Sequence, residues 1–170
     1  KRYSLKLNRP FIKALNLFVL SDDYRPSLRS YSVGKEFTYA TDAHTAIRIP
    51  TKELGEDWYS PIGGFPDVER CFPPTTRNVK LDKQFLTDML GTKVESKVMS
   101  YILIDKFTLS LCFLDRLIKV SKLLKSDIFM LNNPEEEKAA KFQIGEAIIL
   151  LMPVYKPDEI NLIAELKTKQ

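Results

Sequence analysis

The chain repeats its own pattern about one hundred residues apart. Tyr3-Ser4-Leu5-Lys6-Leu7 and Phe107-Thr108-Leu109-Ser110-Leu111 both alternate bulky residues with small or polar ones, as a half-buried strand does. Each is followed by an amphipathic segment, Phe11-Ile12-Lys13-Ala14-Leu15 and Phe113-Leu114-Asp115-Arg116-Leu117. Each unit then closes with an apolar strand ending in proline, Phe37 to Pro50 and Phe142 to Pro153. The offset is 104 from Tyr3 to Phe107, 102 from Phe11 to Phe113 and 103 from Pro50 to Pro153. A near-constant offset at three points predicts a duplicated strand–helix–strands unit. Two such units pair about a local two-fold axis, with strands in sheets and helices on one face. The expected class is α+β: duplicated β-α-β-β-β units with antiparallel sheets.

The expected domain spans residues 1–156, with units at about 1–50 and 106–156 and a connecting region at 51–105. Within it, 3–8 reads as a strand, and Pro10 suits the first turn of a helix carrying Phe11, Ile12, Ala14, Leu15 and Phe18. Residues 28–34 and 36–50 read as a strand pair turning at Gly34-Lys35. Pro61, Gly63, Gly64, Pro66, Pro73 and Pro74 mark a crossover pinned by the lone Trp58. A short helix over 81–90, a strand at 98–104, a helix at 114–124 and strands near 127–131 and 141–153 follow. The tail, 157–170, reads as helical from Ile160, Ile163 and Leu166.

Composition excludes several classes. The 170 residues are long enough for one well-buried core, and a net charge of +4 permits an acidic partner without requiring one. Cys71 and Cys112 sit in apolar surroundings and read as buried thiols of a reducing compartment. No run approaches the ~18 apolar residues of a membrane span. The basic N-terminus lacks a secretory pattern, so the cytoplasm is the expected location and no membrane is an expected partner.

Catalytic chemistry finds little support. The one histidine, His44, follows Asp42 at a spacing that puts both on one face of a strand, which permits an Asp–His pair. No nucleophile elbow accompanies them, and a histidine bonded to backbone at a turn or strand edge explains them better. A structural zinc wants four nitrogen or sulfur ligands, and Glu135-Glu136-Glu137 diverge on any regular backbone. Gly63-Gly64 stands alone, without the lysine and hydroxyl of a phosphate cradle. The expectation is a non-enzyme with no metal and no cofactor.

The basic residues point elsewhere. Phe113, Leu117, Val120 and Leu124 fall within about 60° of arc, suited to packing on a sheet. Arg116, Lys119 and Lys122 fan out beside that stripe over about 120°. A helix buried on one face and cationic on another can lie over a phosphate backbone without reading bases. Arg9 and Lys13 offer a smaller counterpart in the first unit.

Tyr39-Ala40-Thr41-Asp42-Ala43-His44 resembles the Ala-Thr-Asp-Gly-His strand of bacterial DNA sliding clamps, the β subunit of the replicative polymerase. Leu150-Leu151-Met152-Pro153-Val154 is similar to the clamp's terminal strand with its Met-Pro pair, and Gly64 to Pro73 resembles its Phe-Pro-Asp segment. The matches cover about 21 residues of the 170. The resemblance implies helices facing a DNA channel and sheets outside. It also implies a groove for short apolar peptides of polymerases, for which Thr41, His44, Met152 and Pro153 become candidates. Ala43 replaces the family glycine, Thr45 replaces the arginine after the histidine, and both motifs would lie at symmetry-related positions of a single domain.

The resulting expectation is a non-enzymatic, clamp-like protein that binds double-stranded DNA or a DNA-processing partner such as a polymerase, with oligomerisation a route to encircling DNA. Arg9, Lys13, Arg116, Lys119 and Lys122 are the candidate DNA contacts. The alternative is a protein-interaction module that keeps the fold without binding DNA. A small hydrolase using Asp42 and His44 is the outsider.

Overall fold

Two three-stranded meanders, each entered from a helix, meet edge to edge to build the main sheet. The structure is a computed structural model that describes residues 8–20, 25–55, 59–135, 138–153 and 161–168. In chain order the elements are α1 (Arg9–Asn16), β1 (Ser32–Val33), β2 (Phe37–Thr41), β3 (Thr45–Pro50), β4 (Val79–Lys80), α2 (Lys83–Leu90), β5 (Ser100–Ile104), β6 (Phe107–Ser110), α3 (Leu111–Leu124), β7 (Ile128–Met130), β8 (Ala140–Ile144), β9 (Ala147–Leu151) and β10 (Asn161–Leu166). The expected first strand, 3–8, and Trp58 lie outside the described residues.

The main sheet has the order β1-β2-β3-β9-β8-β7-β4, antiparallel at every step. Apart from β4, the order reads the same outward from either side of the β3–β9 pair. The duplication is therefore present as a local two-fold through that seam. Phe37 opens β2 and Ala140 opens β8, 103 residues apart; Thr45 opens β3 and Ala147 opens β9, 102 apart. One residue is lost because the first hairpin turns through Asp42, Ala43 and His44, the second through Gly145 and Glu146.

These hairpins correct one expectation. Phe37 to Pro50 and Phe142 to Pro153 each read as a single strand, yet each contains a turn. Gly145 takes a left-handed conformation there, with φ 56°, at no steric cost.

Side chains alternate across the sheet. Ile47, Ile49, Phe142, Ile144, Ile149 and Leu151 point to the helix side and are fully buried with Ala14, Leu15 and Phe18 of the first helical segment. α3 starts at Ser110, whose Oγ accepts from the Cys112 N–H at 3.2 Å, and stops at Lys125, in the left-handed region at φ 50°. Its buried set is Leu111, Leu114, Leu117, Ile118, Val120 and Ser121. That stripe is broader than the predicted one, because α1 and α2 flank α3 on the sheet. Phe113 and Leu124 are only half-buried.

The second sheet, β10-β5-β6, corrects the reading of the tail as helical. Residues 161–166 form a strand parallel to β5. Ile163 and Leu166, three residues apart, suit a helix face as well as a strand; the open backbone edge of β5 decides for strand. Arg77 locks the strand in place. Its Nη2 donates to Asp105 Oδ2 and its Nη1 to Thr168 Oγ1, both at 2.9 Å. Asp105 Oδ1 accepts from the Thr168 N–H at 2.9 Å. The cysteines are free, as expected, but not buried: Cys71 is exposed on a short 3-10 turn and Cys112 is half-buried.

Ile47 and Ile149 face each other across the seam, both fully buried. Ile149→Ala is expected to cost about 2–4 kcal/mol in urea denaturation. A loss below about 1 kcal/mol would mean that the seam is not a packed part of the core.

Candidate functional site

A tight turn joins β2 to β3, and its geometry follows from three short polar side chains. Thr41 Oγ1 donates to the Thr45 carbonyl at 2.7 Å and accepts from the Ala43 N–H at 3.2 Å. Asp42 Oδ1 accepts from the His44 N–H at 3.0 Å, the Thr45 N–H at 2.7 Å and the Thr45 hydroxyl at 2.9 Å. Such side-chain-to-backbone bonds are what make Thr and Asp turn formers. They hold Ala43 at φ 75°, a conformation that costs a residue with a Cβ about 1–2 kcal/mol.

The carboxylate's other oxygen is taken from a distance. Arg116 of α3 donates from Nη1 to Asp42 Oδ2 and to Thr45 Oγ1, both at 2.7 Å. The guanidinium also lies 5.7 Å from the Phe18 ring centroid and 5.5 Å from that of Phe113. Burial alone would push the Asp42 carboxyl up, but hydrogen bonds from Arg116, the His44 N–H and Thr45, with the Arg116 charge, hold it below the ordinary carboxylate value. With its oxygens committed in this way, Asp42 makes a turn and an ion pair, not an orienter for the His44 ring.

Antiparallel pairing of β3 with β9 sets Thr45 opposite Leu151, so the chain leaving β9 runs alongside the turn entering β3. The Met152 N–H donates to the His44 carbonyl at 3.0 Å. The two motifs are therefore neighbours and not symmetry mates; the mate of the Asp42–His44 turn is Gly145-Glu146.

The Phe-Pro-Asp segment completes the wall on the outer face of the sheet. Val68 packs on Ala46 and Leu150, with Phe65, Phe72 and Tyr39 around them. Glu69 binds both the Tyr39 hydroxyl and Arg48. Arg48 in turn lies 4.4 Å from the Phe37 ring centroid and 5.4 Å from that of Phe72.

The result is a groove of about 210 Å³ in which Thr41, His44, Val68, Cys71, Leu150 and Met152 share a lining with Pro66 and Asp67. Met152 is 41% exposed, large and apolar at the rim. A second hollow of about 430 Å³ lies across Cys71 and Met152, which line both. Of the four predicted groove residues, three converge here. Pro153 follows Met152 in the chain and is not among the lining residues. Sequence reasoning did not assign Val68, Cys71 or Leu150 to the groove, although all three lie in segments it singled out.

The predicted cations divide. Lys13, Lys119 and Lys122 line one groove of about 560 Å³ between α1 and α3, floored by Leu17 and Leu123. Arg9 is exposed one turn before Lys13. Lys119 pairs with Asp115 at 2.8 Å. Arg116 stands apart, committed to Asp42. Among the described residues no group of three His, Cys, Asp or Glu side chains is placed to hold a metal, and no helix is long and apolar enough to cross a membrane.

No family model matches the chain, and no curated protein does. Solved structures do. The fold is that of the bacterial sliding clamps. The DNA polymerase III β chain of Streptococcus pneumoniae TIGR4 superposes with a TM-score of 0.62 at 12% identity, over 88% of this chain and 63% of that one. The β sliding clamp of C. crescentus gives 0.61 at 13%, over 88% and 64%. The β subunit from Pseudomonas aeruginosa gives 0.59 at 13%, over 87% and 64%. The chain thus spans a little under two thirds of the length of these clamps.

Two outcomes test the turn. Ala43→Gly is expected to raise stability by up to about 1 kcal/mol, because relief of left-handed strain outweighs the entropy that glycine adds to the unfolded chain. Destabilisation in thermal or urea melts would contradict the strain. Burial pushes the Asp42 and Asp105 carboxyls up, but hydrogen bonds, chiefly from Arg116 and Thr168 respectively, hold both below the ordinary aspartate value of about 3.9 in the folded state. Their contribution is present above that value and lost as the pH falls through the folded pKa. Stability should therefore drop below about pH 4, and less steeply in Asp42→Asn; parallel acid-unfolding curves would rule the Asp42 pair out as a source.

Proposed function

We propose that this chain is a non-enzymatic clamp-fold platform of the cytoplasm whose outer groove takes a short apolar peptide segment of a DNA-processing protein. One observation carries the reading: Thr41 and His44 line one groove with Met152, far from them in the chain, and with Pro66, Val68 and Cys71. The groove has an apolar floor, a polar rim and backbone of a sharp turn on one side, the mixture that gives a small pocket both affinity and orientation. An apolar peptide would fill it and bury the exposed Met152.

The face of α1 and α3 supports an additional role within this reading, contact with duplex DNA through phosphates. Arg9, Lys13 and Lys122, with Lys119 sharing its charge with Asp115, make a cationic strip without any base-reading feature. Encircling DNA would take several copies joined through sheet edges. A chain that binds partner peptides but not DNA is the second reading. The commitment of Arg116 to Asp42 and the apolar floor between the helices favour it.

Fluorescence anisotropy with labelled apolar hexapeptides tests the groove. Saturable binding is expected, weakened at least about tenfold by Met152→Glu; absence of binding, or indifference to that change, contradicts the reading. For DNA, affinity at low salt should fall with rising salt on a log–log slope of about −3. Joint replacement of Lys13, Lys119 and Lys122 by glutamate should abolish it. Undetectable binding to duplex leaves the protein-only reading standing.

A further inference from the structure

The wall of the peptide groove is built on a turn that is not self-sufficient. Ala43 occupies a conformation that favours glycine, and the Asp42 carboxylate that stabilises it has a side chain only 11% exposed. Its Oδ1 is satisfied locally by three donors. Its Oδ2 is answered by Arg116, 74 residues away on α3. Without that guanidinium, a buried anionic oxygen would be left unpaired, which is costly. The turn would have an incentive to open toward water and let Ala43 relax.

Arg116 is built for this task and not for a mobile phosphate contact. Nη1 reaches the carboxylate and the Thr45 hydroxyl at the same 2.7 Å, and that hydroxyl donates its own hydrogen bond to Asp42 Oδ1 at 2.9 Å. Phe18 and Phe113 lie against the guanidinium. A planar, aromatic-flanked guanidinium with two fixed acceptors loses little further freedom on holding the turn.

We propose that Arg116 is a positioning residue of the peptide groove: through Asp42 and Thr45 it fixes the turn that presents Ala43 and His44 opposite Met152. The role rests on the peptide-groove reading above, and it removes Arg116 from the set of candidate DNA contacts.

The test measures hexapeptide affinity, duplex affinity and amide exchange in the full chain. Arg116→Met keeps an apolar stem against Phe18 and Phe113 but removes the donors. It should weaken peptide binding about tenfold, leave duplex affinity within about twofold, and speed exchange of the His44 and Thr45 amides. Asp42→Asn should lose a similar factor, and the double variant no more than either alone. Ala43→Gly in the Arg116→Met background should recover most of the peptide affinity, since glycine holds the turn without strain; the recovery should appear even under conditions where urea melts show both variants fully folded, where a gain in overall stability alone cannot raise affinity. Should Arg116→Met fold poorly, Arg116→Lys, which retains one donor group, should give an intermediate affinity with the same rescue. Wild-type binding with unchanged affinity in Arg116→Met, or a fall in duplex affinity matching that of Lys122→Glu, overturns this role alone. A wild-type chain that binds no peptide overturns the groove reading and this role with it.

Discussion

The antiparallel pairing of β3 with β9 is the constraint on which the rest depends. Because the two strands run in opposite senses, the start of one lies beside the end of the other. His44 and Met152 are thereby joined by a backbone hydrogen bond of 3.0 Å. Parallel pairing would have separated these ends by a strand length, about 17 Å at ~3.4 Å per residue, and no common groove would form. The same seam joins the two meanders into one sheet and lays α1 beside α3 on its inner face. One pairing choice thus makes both candidate surfaces.

Three of the chain's eight arginines are spent on holding this arrangement together. Arg116 ties α3 to the β2–β3 turn, Arg48 ties the Phe-Pro-Asp segment to the outer face, and Arg77 ties the second sheet to the connection between β7 and β8. Each is at least partly buried, and each pairs with a carboxylate while touching an aromatic ring, sulfur or carbonyl. Removing one partner from such a pair leaves a partly buried charge uncompensated, which costs more than losing an exposed pair worth at most about 1 kcal/mol. The lysines between α1 and α3 remain at the surface, so the positive charge available to a polyanion is mostly lysine charge. That division follows from chemistry: the guanidinium forks and stacks, while the ammonium stays hydrated.

Much of this was legible in the residues. A strand begins at Phe107, though it is fully buried and ends at Ser110 where the alternation suggested a half-buried one through Leu111. That strand, the proline stops at Pro50 and Pro153, and the helix entry at Pro10 each reflect a local rule, and the repeat emerged from them. Thr41-Asp42 was readable as a turn former for the same reason. The β2–β3 hairpin was not, because Ala43 stands where a glycine would have signalled the left-handed residue, and the second oxygen of the compensating Asp42 is satisfied by a partner on α3. The tail misled because apolar residues three apart suit either element, and the free edge of β5 that decides between them is a tertiary fact. Cys71 misled because its apolar neighbour Phe72 packs on the sheet while the thiol faces out. Of the groove, Thr41, His44 and Met152 came from the resemblance to sliding clamps, whereas Leu150 and Val68 needed the register of β9 and the path of the crossover.

The central claim is that the turn before β3 and the residues after β9 act as one peptide-binding wall. Backbone NMR with an apolar hexapeptide tests it most directly. The account predicts that the amides of Ala43, His44, Thr45 and Met152 shift together with a single saturation curve, while Lys13, Lys119 and Lys122 stay still. Shifts centred between α1 and α3, or motion of the turn without Met152, would contradict it.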